Sequence, residues 1–186
     1  MADTPVTPVF PPPPPQAPPA RRLGGAWTAL GIAVVVALAG IAAIGAVVLR
    51  PRVIRVEGHS MSPTLQNDDR AILLRIRDAP ARGDVVGLRY PKNPARSFVM
   101  RVVGLPGESV SIAGGVVSID GRPIPEPYLV EANRAHDDFG PVRLGADEYF
   151  VMADRRNNAS DSREWGPVAR RLIWGRLHSV FYRRGH

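Results

Sequence analysis

Ala26 to Leu49 are 24 consecutive residues without a charged side chain, including the run Ile32-Ala33-Val34-Val35-Val36-Ala37-Leu38. No other feature constrains the fold so strongly. At 1.5 Å per residue, a helix of this length crosses a hydrocarbon core of about 30 Å. A cleavable leader is a weaker reading, because its apolar stretch runs only roughly 7–15 residues. A buried helix of a soluble protein is the other alternative, but a helix apolar on every side needs lipid or a large protein to hide it. The chain has 186 residues, room for one modest domain once a tail and an anchor are subtracted. The expected organisation is a proline-rich tail over 1–25, a transmembrane helix over 26–49 and one domain over 50–186. Pro11 to Pro15 are consecutive, which favours polyproline II and leaves no apolar side chains for a core. The tail therefore reads as disordered, with a proline-recognising partner as the sharper alternative.

Beyond the span the pattern becomes β-like. Arg52-Val53-Ile54-Arg55-Val56 alternates, and Arg70 to Ile76 is a second apolar run. Gly83-Asp84 turns into a run from Val85 to Tyr90, and another covers Phe98 to Val103. Val110-Ser111-Ile112 and Val116 to Ile119 flank Gly114-Gly115, and Asp120-Gly121 marks a further tight turn. Tyr149 to Met152 leads into a loop over Ala153 to Arg163, and a last segment covers Leu172 to Tyr182. Short strands with closely spaced turn signals predict a mainly β domain rather than alternating β/α units.

The chain contains no cysteine, so disulfides, thiol nucleophiles and Cys-ligated metals are excluded. No cofactor or metal is expected. The net charge of +7 and pI near 10.9 raise nucleic acid as a partner. The arginines are dispersed, however, and no aromatic-interleaved basic stripe is present, so nucleic acid is not expected. Attraction to anionic lipid headgroups is the more economical account. Arg21 and Arg22 precede the span while Arg50, Arg52 and Arg55 follow it, so charge counting does not favour an N-terminus inside.

Four stretches follow one another in order. The first is Gly58-His59-Ser60-Met61-Ser62-Pro63-Thr64-Leu65, and the second is Arg82-Gly83-Asp84-Val85-Val86. The third is Arg101-Val102-Val103-Gly104-Leu105-Pro106-Gly107-Glu108, and the fourth runs from Asp154 to Val168. Together with the N-terminal span they resemble the boxes of type I signal peptidases, membrane serine proteases that remove signal peptides from exported proteins. The resemblance covers nearly the whole chain outside the proline tail. It implies a mainly β catalytic domain against the outer membrane surface, the N-terminus inside and the C-terminal domain extracytoplasmic. It also implies signal peptides of exported preproteins as partners, with small side chains accepted at the first and third positions before the cut. It says nothing of oligomeric state.

The family's chemistry is a serine–lysine dyad. A serine hydroxyl is a poor nucleophile unless a neighbouring base takes its proton. A lysine can do so once desolvation lowers its pKa toward neutrality. The resemblance makes Ser60 the nucleophile and its backbone N–H an oxyanion donor, with Gly58 and Met61 at the oxyanion and substrate-binding turn. Gly58 reads equally as a plain turn glycine, and Met61 as a residue that shapes the turn. The family's lysine immediately precedes the arginine of the third box, and here that residue is Met100. The chain has a single lysine, Lys92, in the turn Tyr90-Pro91-Lys92-Asn93-Pro94, where it reads as a solvated loop residue. Arginine is too weak an acid to serve as a base. His59 should point away from the serine in an extended turn, and His136, His178 and His186 have no evident place.

A second departure fits the first. The family's last box carries a serine that orients the lysine, and alignment on Asp154, Asp161 and Arg163 puts Ala159 there. Without an ammonium, a buried hydroxyl is only a cost. Methionine with alanine would pack as an apolar plug. Asp161 and Arg163 resemble an ion pair that braces the site, with Arg101 a candidate to join it and Asp154 and Ser162 in support. Trp165 and Trp174 read equally as interfacial or as core residues. Two functions follow: a signal peptidase impaired by loss of its base, or a silent relative that binds signal peptides or membrane partners without cutting.

Overall fold

The computed structural model describes residues 24–48 and 51–182, with side chains in the N-terminal helix described at 30–42 and 45. The proline tail and His186 lie outside the described residues. Two compact units divide at Ile44/Gly45. The first contains most of α1 (Gly24–Val48), whose 25 residues include no charged side chain. Leu30, Ile32, Val35, Val36, Leu38 and Ile41 are all exposed along it. Among the described residues no helix is long and apolar enough to cross a membrane.

The second unit is mainly β. Its strands are β1 (Arg52–Arg55), β2 (Arg70–Arg75), β3 (Val85–Tyr90), β4 (Asn93–Gly104), β5 (Ser109–Ala113) and β6 (Val116–Ile119). Then come β7 (Arg122–Pro123), β8 (Phe139–Arg143), β9 (Glu148–Met152), β10 (Val168–Ala169) and β11 (Ile173–Tyr182), with a one-turn helix α2 (Ser162–Trp165) before β10. A seven-stranded sheet has the order β1-β2-β11-β3-β4-β9-β10, and a four-stranded sheet the order β7-β6-β5-β8. Neighbouring strands pair antiparallel in both.

The alternating apolar runs all form strands, while β7, β8 and β10 carry no such signal. All three are sheet edges, and β7 and β8 contain Pro123 and Pro141, which an edge tolerates. β4 begins five residues before its apolar run, because its polar start, 93–97, is exposed.

Strand alternation sorts the core into faces. Val86, Leu88, Met100, Val102, Tyr149 and Val151 share one cluster with Trp165. Opposite them, Val103, Phe150 and Met152 pack with Val110, Ile112 and Val117 of the smaller sheet. Val85 packs with Val56, Met61, Leu65, Ala71 and Leu73, and Val99 leans on that third cluster. Gly87 sits where the Trp174 indole crosses β3: a Cβ there would stand 2.5 Å from the ring and 2.7 Å from Leu73.

Candidate functional site

The turn after β1 is pinned from several directions. Gly58 has φ +89°, a conformation that disfavours side chains, and nothing crowds its missing Cβ. Its N–H donates to Asn67 Oδ1 at 2.8 Å. The backbone conformation therefore accounts for glycine here, and the open space above it also leaves room for a peptide. The Ser62 N–H donates to the His59 carbonyl at 3.1 Å and the Leu65 N–H to the Met61 carbonyl at 2.8 Å. Met61 and Leu65, 2% and 0% exposed, anchor the turn in the core.

Ser60 is half-buried, and its carbonyl accepts from the Arg155 N–H at 2.9 Å, tying the first box to the last. Among the described residues neither its N–H nor its hydroxyl has a hydrogen-bond partner. It lines a groove of about 210 Å³ with Ile54, Val56, Met61, Val99 and Trp174. One wall is the edge strand β1 and the chain after it, and the other is β4. The floor is mainly apolar, with Arg55 and Glu57 at the margin.

Met100 follows Val99 along β4, but its side chain leaves on the opposite face. It is 1% exposed in the cluster with Val86, Leu88, Val102, Ala153 and Trp165, against which Ala159 also packs. The thioether and the methyl group thus meet in one apolar cluster. Among the described residues none of the basic candidates reaches the serine hydroxyl through a hydrogen bond. Lys92, His59, His136 and His178 are exposed, and Lys92 lies in the turn joining β3 to β4.

Arg101 and Arg163 belong to separate ion pairs, which corrects the expectation that Arg101 joins Asp161 and Arg163. Arg101 instead pairs with Asp154 through two bonds, Nε to Oδ1 at 2.8 Å and Nη2 to Oδ2 at 2.6 Å. Its Nη1 donates to the Gly83 carbonyl at 2.8 Å and its Nη2 to Thr64 Oγ1 at 3.0 Å. The Thr64 hydroxyl donates in turn to Asp154 Oδ2, and the Tyr128 ring covers the guanidinium at 4.0 Å. One arginine therefore joins all four boxes. Asp154 is 0% exposed and Arg101 8%, so the charges satisfy each other rather than water.

The second pair is Asp161 with Arg163, at 2.9 Å and 2.8 Å through two bonds. Asp161 also caps α2 by accepting from the Arg163 N–H at 3.1 Å. Burial works against the Arg163 charge, but Asp161 and Asp137 outweigh it and raise its pKa above the ordinary value. Ser162 Oγ, fully buried, accepts from the Val151 N–H at 3.0 Å and fastens the loop to β9. The sequence reading missed Thr64 as a brace, Tyr128, and the buried pair of Arg156 with Glu126. Thr64 and Gly83 lay inside the boxes and carried that signal. Glu126 and Tyr128 lie outside any motif. Burial pushes the Tyr128 phenol well above its ordinary value, aided by the charge of Glu126, to which it donates at 2.8 Å. Trp165 proves to be a core residue, edge-on to Tyr90 at 5.9 Å, whereas Trp174 is half-buried beside the groove. Among the described residues no group of three or more His, Asp or Glu is placed to hold a metal ion.

Comparison with known proteins bears directly on this arrangement. The family described as "Signal peptidase, peptidase S26" matches residues 27–182. Signal peptidase I of Leptolyngbya laminosa is 38% identical over 138 residues, covering 68% of this chain and 66% of that protein. Probable signal peptidase I-2 of Synechocystis sp. is 36% identical over 165 residues, covering 84% of this chain and 73% of that protein. A crystal structure of a signal peptidase I from Enterococcus faecalis superposes with a TM-score of 0.48 at 26% identity, over 54% of this chain and 98% of that one.

Proposed function

We propose, for a chain that belongs to the signal peptidase family, peptidase S26, that it binds the signal peptides of exported preproteins in the Ser60 groove but cleaves them very slowly or not at all. A single observation carries this reading: Met100, which the resemblance puts in the place of the family's general base, is 1% exposed in an apolar cluster, and the Ser60 hydroxyl has no hydrogen-bond partner among the described residues. In the family's reaction the hydroxyl proton leaves as oxygen attacks the scissile carbonyl, and water later resolves the acyl-enzyme. Here the proton has no acceptor beside it. Loss of a general base costs about 10²–10⁴-fold, and loss can approach 10⁶-fold where base and nucleophile act as a unit.

The binding half of the reaction keeps its parts. An extended peptide can lie between β4 and the chain after β1, with small side chains on the apolar floor at Met61 and Val99. The Ser60 N–H, without an intramolecular partner among the described residues, can donate to the peptide carbonyl. A silent peptide-binding relative is the limit of the same proposal in which the residual rate is zero.

The anchor belongs to this reading. α1 exposes apolar side chains on every side of the helix, at positions 30, 32, 34, 35, 36, 38 and 41, as lipid-facing helices do. The chain is taken as a single-pass protein of the plasma membrane, N-terminus cytoplasmic and the β unit extracytoplasmic.

The test is cleavage of a preprotein by the full chain in detergent. Wild type and Ser60→Ala should both run at or near background, and Met100→Lys with Ala159→Ser should gain Ser60-dependent activity. Brisk wild-type cleavage that Ser60→Ala abolishes would mean that another base serves the site.

A further inference from the structure

A second cavity of the β unit, about 690 Å³, is larger than the groove at Ser60. It lies on the far side of Trp174, which lines both. Five arginines surround it: Arg52, Arg75, Arg89, Arg170 and Arg171. The sheet register explains the convergence. Arg52 of β1 stands opposite Leu73 of β2, Arg75 of β2 opposite Gly175 of β11, and Arg89 follows Leu88, which faces Ile173. Arg170 and Arg171 belong to the single 3-10 turn just before β11.

No carboxylate lines this cavity. Among the described residues none of the five arginines forms an ion pair, and the nearby Asp78 carboxylate is engaged by Arg176 at 3.1 Å. Two of the five are held in place by the protein. Arg170 donates to the carbonyls of Ile173 at 3.0 Å and Asp78 at 2.9 Å, and Arg52 stacks over the Trp174 ring at 5.1 Å. The interior is different in character, built from Leu73, Ile76, Ile173 and Trp174. Its volume falls within the range of about 300–1,000 Å³ usual for small-molecule pockets.

Of the five, Arg170 feels the Asp78 carboxylate at longer range; guanidinium groups clustered with so little counter-charge repel one another, so an anion that bridges them is favoured. Arginine forks match phosphate oxygens in geometry as well as charge. We propose that this cavity is a binding site for a phosphate ester, with the anion held by the arginine rim and its organic part resting on the apolar floor. Acidic phospholipid headgroups and soluble phosphate esters share that chemistry. The amphipathic lining favours the lipid, as does sequence position, since Arg52 lies four residues beyond the end of α1. That preference rests on the anchor reading above; the site itself does not.

The experiment is native mass spectrometry of the full chain in a non-ionic maltoside detergent, titrated separately with phosphatidylglycerol, phosphatidylcholine and glycerol 1-phosphate. One variant carries Arg75→Gln, Arg89→Gln and Arg171→Gln. A charge-matched control carries Arg122→Gln, Arg134→Gln and Arg143→Gln, away from the cavity. Since basic residues contribute individually to holding anionic headgroups, the cavity variant, which lacks three of them, should lose about a hundredfold in phosphatidylglycerol binding and the control less than about twofold. Retention of phosphatidylglycerol alone would identify a headgroup as the ligand, and equal retention of glycerol 1-phosphate a soluble ester. Equal losses in the two variants, or no retained phosphate compound, would overturn the site. Neither result depends on cleavage or on whether α1 spans a bilayer, which alkaline extraction of membranes reads independently.

Discussion

Replacing Met100 by lysine tests the apolar plug directly. Met100 is 1% exposed and packed among Val86, Leu88, Val102 and Trp165. Lysine is close to methionine in length, so the cost is mainly that of the charge. A fully buried lysine can fall from about 10.4 to a pKa of about 5–6, which leaves it neutral at pH 7. Holding it neutral there spans roughly 3.4 pH units at about 1.36 kcal/mol each, or about 4–5 kcal/mol. That is a large part of the about 5–15 kcal/mol that keeps an ordinary domain folded. Because the folded pKa lies below the unfolded one, the unfolded chain binds more protons between them. The deficit is therefore greatest below the folded pKa and shrinks as pH rises toward about 10.4. Met100→Leu is the control, expected to cost less than about 1.5 kcal/mol with no added pH dependence. The assay is urea unfolding of the full chain in non-ionic detergent between pH 6 and 9.5, read by tryptophan fluorescence, since Trp165 shares the cluster. Adding Ala159→Ser to the lysine variant should recover about 1–2 kcal/mol by giving the amine a hydrogen-bond partner. A lysine-minus-leucine difference that stays flat across this pH range would show a solvated side chain at position 100. The account of why Ser60 lacks a base would then fail with it.

Two further outcomes follow from the braces. Asp154→Ala leaves the Arg101 guanidinium buried without its partner, so stability should fall by about 3–5 kcal/mol, measured as a lower urea midpoint. Tyr128 has a raised pKa because of burial, so above about pH 10 the unfolded chain releases its phenolic proton first and stability falls with rising pH. Tyr128→Phe should flatten that alkaline limb relative to wild type, as followed by urea midpoints from pH 9 to 11; an unchanged slope would contradict the assignment.

Strands whose continuous apolar runs are buried were legible one by one. Val85 to Tyr90 and Tyr149 to Met152 are examples, because each records its burial in its own pattern. The edge strands at Arg122–Pro123 and Phe139–Arg143 were not, since an exposed edge imposes little on side chains. At the site, Ser60, Met100 and Ala159 could be located in sequence through the boxes. The partner of Arg101 could not, and the simpler guess of a shared pair with Asp161 was wrong.

Local sequence thus determined the apolar helix, the mainly β unit, the candidate nucleophile and the presence of a single lysine, Lys92, outside the four boxes. Each of these is a property of neighbouring residues or of a short spaced pattern. Only the tertiary structure decided which charges meet: Arg101 and Asp154 are 53 residues apart, and Thr64 and Asp154 are 90 apart. The same holds for the arginine-rimmed cavity, assembled from β1, β2, β3 and the chain before β11. Coulomb energy and hydrogen bonding depend on distance in space, and in an antiparallel sheet that distance follows from strand order and register, which no short stretch of chain encodes.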